Sequence, residues 1–116
     1  MLLFYNFFDV KIKVCLCNIG KRENLYVREY ISHYLKYGVD KIFIYDNNDI
    51  NGEKFENVIN DYIESGFVKI MNIRGKLNIQ IKALQDRYRN NYNKFNWLLF
   101  FDMDEFIYLK NYIIFF

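Results

Sequence analysis

Trp97-Leu98-Leu99-Phe100-Phe101-Asp102-Met103-Asp104-Glu105-Phe106 is the stretch on which the reading of this chain turns. Five large apolar residues in succession read as a strand buried on both faces, because a half-exposed strand alternates apolar with polar positions. Three acids in four positions follow. In extended chain, residues two apart project to the same side, so the spacing predicts the Asp102 and Asp104 carboxylates together and Met103 and Glu105 opposite. At about 7 Å and an effective dielectric near 20, their repulsion is roughly 2 kcal/mol. A divalent cation removes that cost. Mg²⁺ or Mn²⁺ held by one or two carboxylates, with other positions left to phosphate oxygens and water, is the usual form of such a site. A solvated acidic turn at a strand end is the reading that Asp-x-Asp alone leaves open.

Working outward, the chain before this stretch repeats one unit. Val10 to Asn18 alternates at first and then becomes wholly apolar through Leu16, which predicts a strand entering a core. Val27, Tyr30, Ile31, Tyr34 and Leu35 fall on one helical stripe, and Gly38 ends it. Asp40 to Asp46 predicts a second strand, running into the polar loop Asn47-Asn48-Asp49-Ile50-Asn51-Gly52. Phe55, Val58, Ile59, Tyr62 and Ile63 repeat the first helix's spacing up to Gly66, and Phe67 to Met71 forms the third strand. Leu77, Ile81, Leu84 and Tyr88 mark a third helix. Strand and helix in strict alternation predict an α/β fold with a mostly parallel, Rossmann-like sheet and right-handed crossovers.

In an open parallel sheet the ligand lies beyond the carboxyl ends of the strands. Those ends are polar here: Asn18 with Lys21, Glu23 and Asn24; Asp46 with Asn47 and Asn48; Asn72 with Arg74; and Asp102, Asp104 and Glu105. A three-two-one-four order sets the diacid beside the first loop, with Asp46 and Arg74 further along the rim. That cleft, with a cation at one end and hydrogen-bonding groups at the other, suits a linked nucleoside diphosphate. Each group also has a plainer use. Asp46, Asn47 and Asn48 are good turn formers, Arg74 and Lys76 good surface residues, Trp97 a good core residue, and His33 a good surface partner for Glu29 one turn earlier. The loop Asn47-x-Asp49-x-Asn51-Gly52 grazes a calcium-loop pattern, but its first position is neutral and its twelfth is Val58, which excludes an EF-hand.

The composition bounds the partners. With 53% hydrophobic residues and a net charge of +2 over 116 residues, the chain is neither disordered nor basic enough for nucleic-acid binding. Cys15 and Cys17 share a strand face, too far apart in extended chain for a disulfide, and read as two small buried hydrophobes. Nothing demands an oxidising compartment. The apolar start, residues 1–9, fits a short extension with packing or weak membrane contact, and residues 111–116 look like an element cut off. Cytoplasm and membrane surface both stay open as locations.

Several blocks taken together resemble glycosyltransferase family 92 and the related family-2-like glycosyltransferases. They are Lys21-Arg22-Glu23-Asn24, Glu29-Tyr30-Ile31-x-His33-Tyr34, Gly38 through Asn48, Asp61-Tyr62-Ile63-x-x-Gly66-Phe67-Val68, Arg74-Gly75, and Phe100-Phe101-Asp102-x-Asp104-Glu105-Phe106-Ile107. They cover Val14 to Leu109 in order. The resemblance implies a GT-A fold whose nucleotide-sugar-binding part occupies residues 10–110. It also implies metal-dependent, inverting sugar transfer from a donor such as a UDP-hexose to a glycan, lipid or protein acceptor. By position, Asp46 would contact the uracil or ribose, Arg74 the base or diphosphate, and Asp102 the ribose and the Mn²⁺ or Mg²⁺. Asp104 would bind the metal, and Glu23 and Asn24 would line the donor pocket. The general base would lie beyond the diacid and outside this chain. Two rivals stand beside this reading: a remnant that at most binds nucleotide, and a haloacid-dehalogenase-like phosphatase, whose Asp-x-Asp normally follows the first strand.

Overall fold

A computed structural model describes residues 12–91 and 93–108. The order is β1 (Val14–Gly20), α1 (Val27–Lys36), β2 (Lys41–Asp46), α2 (Glu56–Glu64), β3 (Val68–Asn72), α3 (Gln80–Asn91) and β4 (Trp97–Phe100). The sheet is parallel throughout, in the order β3-β2-β1-β4. This is the α/β, Rossmann-like arrangement that the alternation predicts, with the predicted strand order. Residues 1–9 and 111–116, read as terminal extensions, lie outside the described residues, as do Val10 and Lys11 of the predicted first strand.

Strand alternation divides the core into two layers. Leu16, Ile42, Ile44 and Val68 pack with Val27, Tyr30, Ile31 and Tyr34 of α1 and with Phe55 and Ile59 at α2. On the opposite face, Cys15, Cys17 and Phe43 pack with Leu98 and Phe95, while Tyr45 and Ile73 pack with Ala83 of α3. The cysteines are buried and free, with their sulfurs 3.8 Å apart. Gly38 and Gly66 follow the first two helices at φ +89° and +87°, the left-handed conformation that stops a helix cheaply. No helix among the described residues is long and apolar enough to cross a membrane.

Three expectations need correction. The Trp97–Phe101 run is not buried on both faces: β4 is an edge strand paired only with β1 among the described residues, and Trp97 is 61% exposed. The central strands β1 and β2 carry the doubly buried pattern instead. The third helix begins at Gln80 and turns Ala83, Arg87 and Asn91 inward, leaving Leu77, Ile81 and Tyr88 exposed. Leu35, placed on the buried stripe of α1, is also exposed.

The inward face of α3 has a physical reason. Ala83 permits close approach to the sheet, and the Arg87 guanidinium lies 3.9 Å from the centroid of Phe43, a cation–π contact. Its Nε donates to the Tyr45 hydroxyl at 3.2 Å, which in turn donates to Asp86 at 2.8 Å. Burial, with the Asp86 bond beside it, pushes the Tyr45 phenol up to about 12.

Candidate functional site

Four loops leave the carboxyl ends of the strands, and the residues read from sequence fall on them in two groups. The first is built on Asp46 and Arg74. Asp46 is 2% exposed and both of its oxygens are engaged. Oδ1 accepts from the Asn48 backbone N–H and side-chain amide at 2.9 and 2.8 Å, the turn-forming use of Asx residues, and Oδ2 accepts from Arg74 at 2.8 Å. Arg74 also donates to the carbonyls of Asp49, Gly52 and Glu53 at 2.7, 3.1 and 3.1 Å. Its fork therefore gathers the whole loop after β2 onto the end of β3. Asn24 ties the first loop to the same region, its backbone N–H donating to Glu53 at 3.0 Å and its amide to the Lys54 carbonyl at 2.9 Å.

The second group surrounds the acids after β4. Asp102 and Asp104 are exposed, Met103 between them is 2% exposed, and the segment is a turn rather than extended chain. Here the structure departs from the geometry expected of the spacing. The strand ends at Phe100, the Glu105 N–H donates to the Asp102 carbonyl at 3.0 Å, and the Asp102 N–H donates to the Glu105 carboxylate at 2.7 Å. The period-two argument fails inside a turn. Met103 anchors the turn instead: its methyl lies 2.9 Å from where a Cβ on Gly20 would stand, beside the Phe55 ring. Glu23 faces the same acids. Its carboxyl is raised above the ordinary range by partial burial and then by the charges of Asp104, Asp102 and Glu53.

Among the described residues no group of three or more His, Cys, Asp or Glu side chains is arranged to hold a metal ion. A closed protein cage is therefore missing there. What Asp102 and Asp104 offer is two hard carboxylates open to solvent, a donor set suited to Mg²⁺ or Mn²⁺ that completes its coordination with water and phosphate.

Beside the start of α3 runs an open cleft of about 710 Å³ lined by Lys21, Asn47, Lys76, Gln80, Ile81 and Lys82 among others, while Asp102 borders a smaller cavity of about 110 Å³ that shares Gln80 with it. Lys76, for which the sequence leaves a surface place and a phosphate clamp equally open, lies on this cleft, and so does Lys82, which carries no signal in the sequence because one lysine on a helix means little until the fold gathers others around it. His33 is more than the surface partner of Glu29 that its spacing suggests. It sits against Tyr34, Tyr37, Phe106 and Tyr108 at 4.8–5.0 Å, with Nε2 donating to the Ile107 carbonyl at 2.8 Å. Its partner is the segment after the diacid, 74 residues on, a contact that local spacing does not reveal.

An open parallel sheet with polar loops gathered at its carboxyl edge defines an α/β protein of the Rossmann-like class. The family model of glycosyltransferase family 92 matches residues 10–114, and the chain belongs to that family. A glycosyltransferase family 92 protein of Arabidopsis thaliana is 30% identical over 103 residues, covering 85% of this chain and 17% of the relative. The chain thus spans about a sixth of that relative's length. No solved structure matches.

Proposed function

We propose that this chain is the donor-binding portion of a metal-dependent, inverting glycosyltransferase of the GT-A kind that takes a nucleotide-sugar, with UDP-hexose as the expected donor. Family membership supports sugar transfer in general. The observation that carries the finer reading is the division of the rim, with exposed acids Asp102 and Asp104 at one side and the lysine-lined cleft at the other. A nucleoside diphosphate satisfies both sides at once. Its phosphates meet lysine and metal, while its base and sugar rest among neutral polar groups.

In this reading Asp102 and Asp104 hold Mn²⁺ or Mg²⁺, and Glu23, Asn24, Arg74 and Asp102 line the nucleotide site, with Asp46, buried and fully engaged, behind Arg74 and out of reach of the uracil or ribose. When bound, the cation supplies charge stabilisation to the departing diphosphate. The chain's own residues supply the rest. Asp46 fixes Arg74, Arg74 fixes the loop after β2, and Asn24 fixes that loop to the first, so the donor meets a rim already in place and spends little binding energy ordering it. Glu23 adds negative potential beside the diacid. An inverting transfer also requires a base on the acceptor side of the sugar. That base and the acceptor, whether glycan, lipid or protein, belong to what would complete the enzyme.

The test is titration calorimetry of UDP on the full chain with Mn²⁺ and with EDTA. We expect binding with the metal and at least tenfold weaker binding without it, a difference that Asp104→Asn abolishes. Metal-independent binding overturns the assignment. Phosphate release from a simple phosphomonoester, lost in Asp102→Ala, would move the chain to the phosphatase class.

A further inference from the structure

The segment from Phe101 to Ile107 carries the diacid yet lies in neither helix nor strand. Its backbone polar groups therefore need other partners. The turn meets part of this need itself, and three side chains on one face of α1, at positions 30, 33 and 34, supply four further bonds. The Tyr30 hydroxyl donates to the Phe101 carbonyl at 3.2 Å. The Tyr34 hydroxyl donates to the Glu105 carbonyl at 2.7 Å and accepts from the Ile107 N–H at 3.1 Å. His33 donates to the Ile107 carbonyl at 2.8 Å.

These four bonds begin before Asp102 and end after Asp104, so they bracket the acidic turn. The rings add packing: Phe106 meets Tyr30, His33 and Tyr34 at centroid distances of 6.0, 5.0 and 6.4 Å. Tyr30 and Tyr34 are 0% and 3% exposed, and burial raises both phenols above their ordinary value, so they stay protonated and able to donate. A tyrosine that only filled the core would be served as well by phenylalanine. Here each hydroxyl has a backbone partner more than 70 residues away in sequence.

We propose that Tyr30, His33 and Tyr34 are positioning residues: α1 sets the conformation of the acidic turn, and hence the mutual placement of the Asp102 and Asp104 carboxylates, by gripping the main chain on either side of them. The functional consequence rests on the metal-binding reading above. The grip itself does not.

Two measurements on the full chain separate them. Mn²⁺ alone is titrated by calorimetry, with water-proton relaxation reporting how many waters the bound ion keeps. Tyr34→Phe preserves the ring and removes both hydroxyl bonds. Its Mn²⁺ affinity should fall about five- to tenfold, on the scale of one or two lost hydrogen bonds, and the bound ion should keep more water as one carboxylate is lost. His33→Gln, which places a donor near the same point, should retain affinity that His33→Leu loses. A structural role alone would lower the melting temperature without changing bound water. That result, or Tyr34→Phe binding Mn²⁺ as the parent does, overturns the proposal.

Hydrogen exchange is the second measurement. The Ile107 amide should exchange at least tenfold faster in Tyr34→Phe, and an unchanged rate overturns the grip. If the parent chain binds no Mn²⁺, the metal reading fails, and exchange at Ile107 alone decides whether α1 holds the turn.

Discussion

Between two exposed aspartates, Met103 is 2% exposed, and this buried residue pins the middle of the turn to the core while α1 holds its ends. Its partner is Gly20, where an added Cβ would meet the Phe55 ring at 2.7 Å and the Met103 methyl at 2.9 Å. Gly20→Ala should therefore destabilise the chain by about 1–3 kcal/mol through overpacking, measured by urea denaturation, and a neutral result would mean that the turn moves freely. Glu23 gives the pH dependence at this scale. Its folded-state value is raised, so its contribution to stability is complete below the ordinary carboxylate range and is lost as pH rises through the raised value. At neutral pH the charged side chain works against the fold. Glu23→Gln should then raise stability at pH 7 by about 0.5 kcal/mol or less, given solvent screening. The gain should vanish as pH falls below about 4, and a gain independent of pH would exclude charge as the cause.

At the scale of the element, α3 shows where sequence patterning misleads. Leu77, Ile81, Leu84 and Tyr88 make the more apolar stripe, and periodicity alone turns that stripe inward. The structure turns Ala83, Arg87 and Asn91 inward because the surface under the helix is aromatic: a guanidinium stacks on Phe43 and bonds Tyr45, which no hydropathy pattern encodes. The two faces make opposite predictions. Leu77→Lys and Ile81→Lys should each change stability by less than about 0.5 kcal/mol, as surface substitutions do, whereas Ala83→Leu should cost about 1–3 kcal/mol by forcing the helix off the sheet. Chemical denaturation of the three variants checks the orientation directly, and the reverse ranking would place the apolar stripe against the sheet. By contrast, α1 was legible almost in full. Val27, Tyr30, Ile31 and Tyr34 are buried as the spacing predicts, because the strand residues under that helix are apolar; what periodicity does not show is the polar grip of Tyr30, His33 and Tyr34 on the segment after β4.

Over the whole molecule, the parallel sheet and the polar carboxyl rim could be read from sequence because they follow from alternation and chirality, which every strand–helix unit repeats, whereas the order β3-β2-β1-β4 is one of two that those rules allow and is settled by the strand pairings. Which rim groups engage one another could not. Nothing in the spacing of Asp46 and Arg74 states that each satisfies the other at 2.8 Å, or that Lys21, Lys76 and Lys82 face one cleft. That division of charge is hidden by a net charge of only +2. It has a measurable consequence. If phosphates bind along the lysine side, UDP affinity in Mn²⁺ should fall as salt rises, since the Debye length shrinks from about 10 Å at 0.1 M to about 3 Å at 1 M. Lys76→Gln and Lys82→Gln should each weaken UDP binding by about two- to fivefold at low salt, the scale of exposed ion pairs, and by much less at high salt. Uridine, which has the base and ribose but no phosphate, should show neither the salt dependence nor the lysine dependence. If uridine and UDP respond alike, the lysines act on something other than phosphate, and the diphosphate must lie elsewhere along the rim.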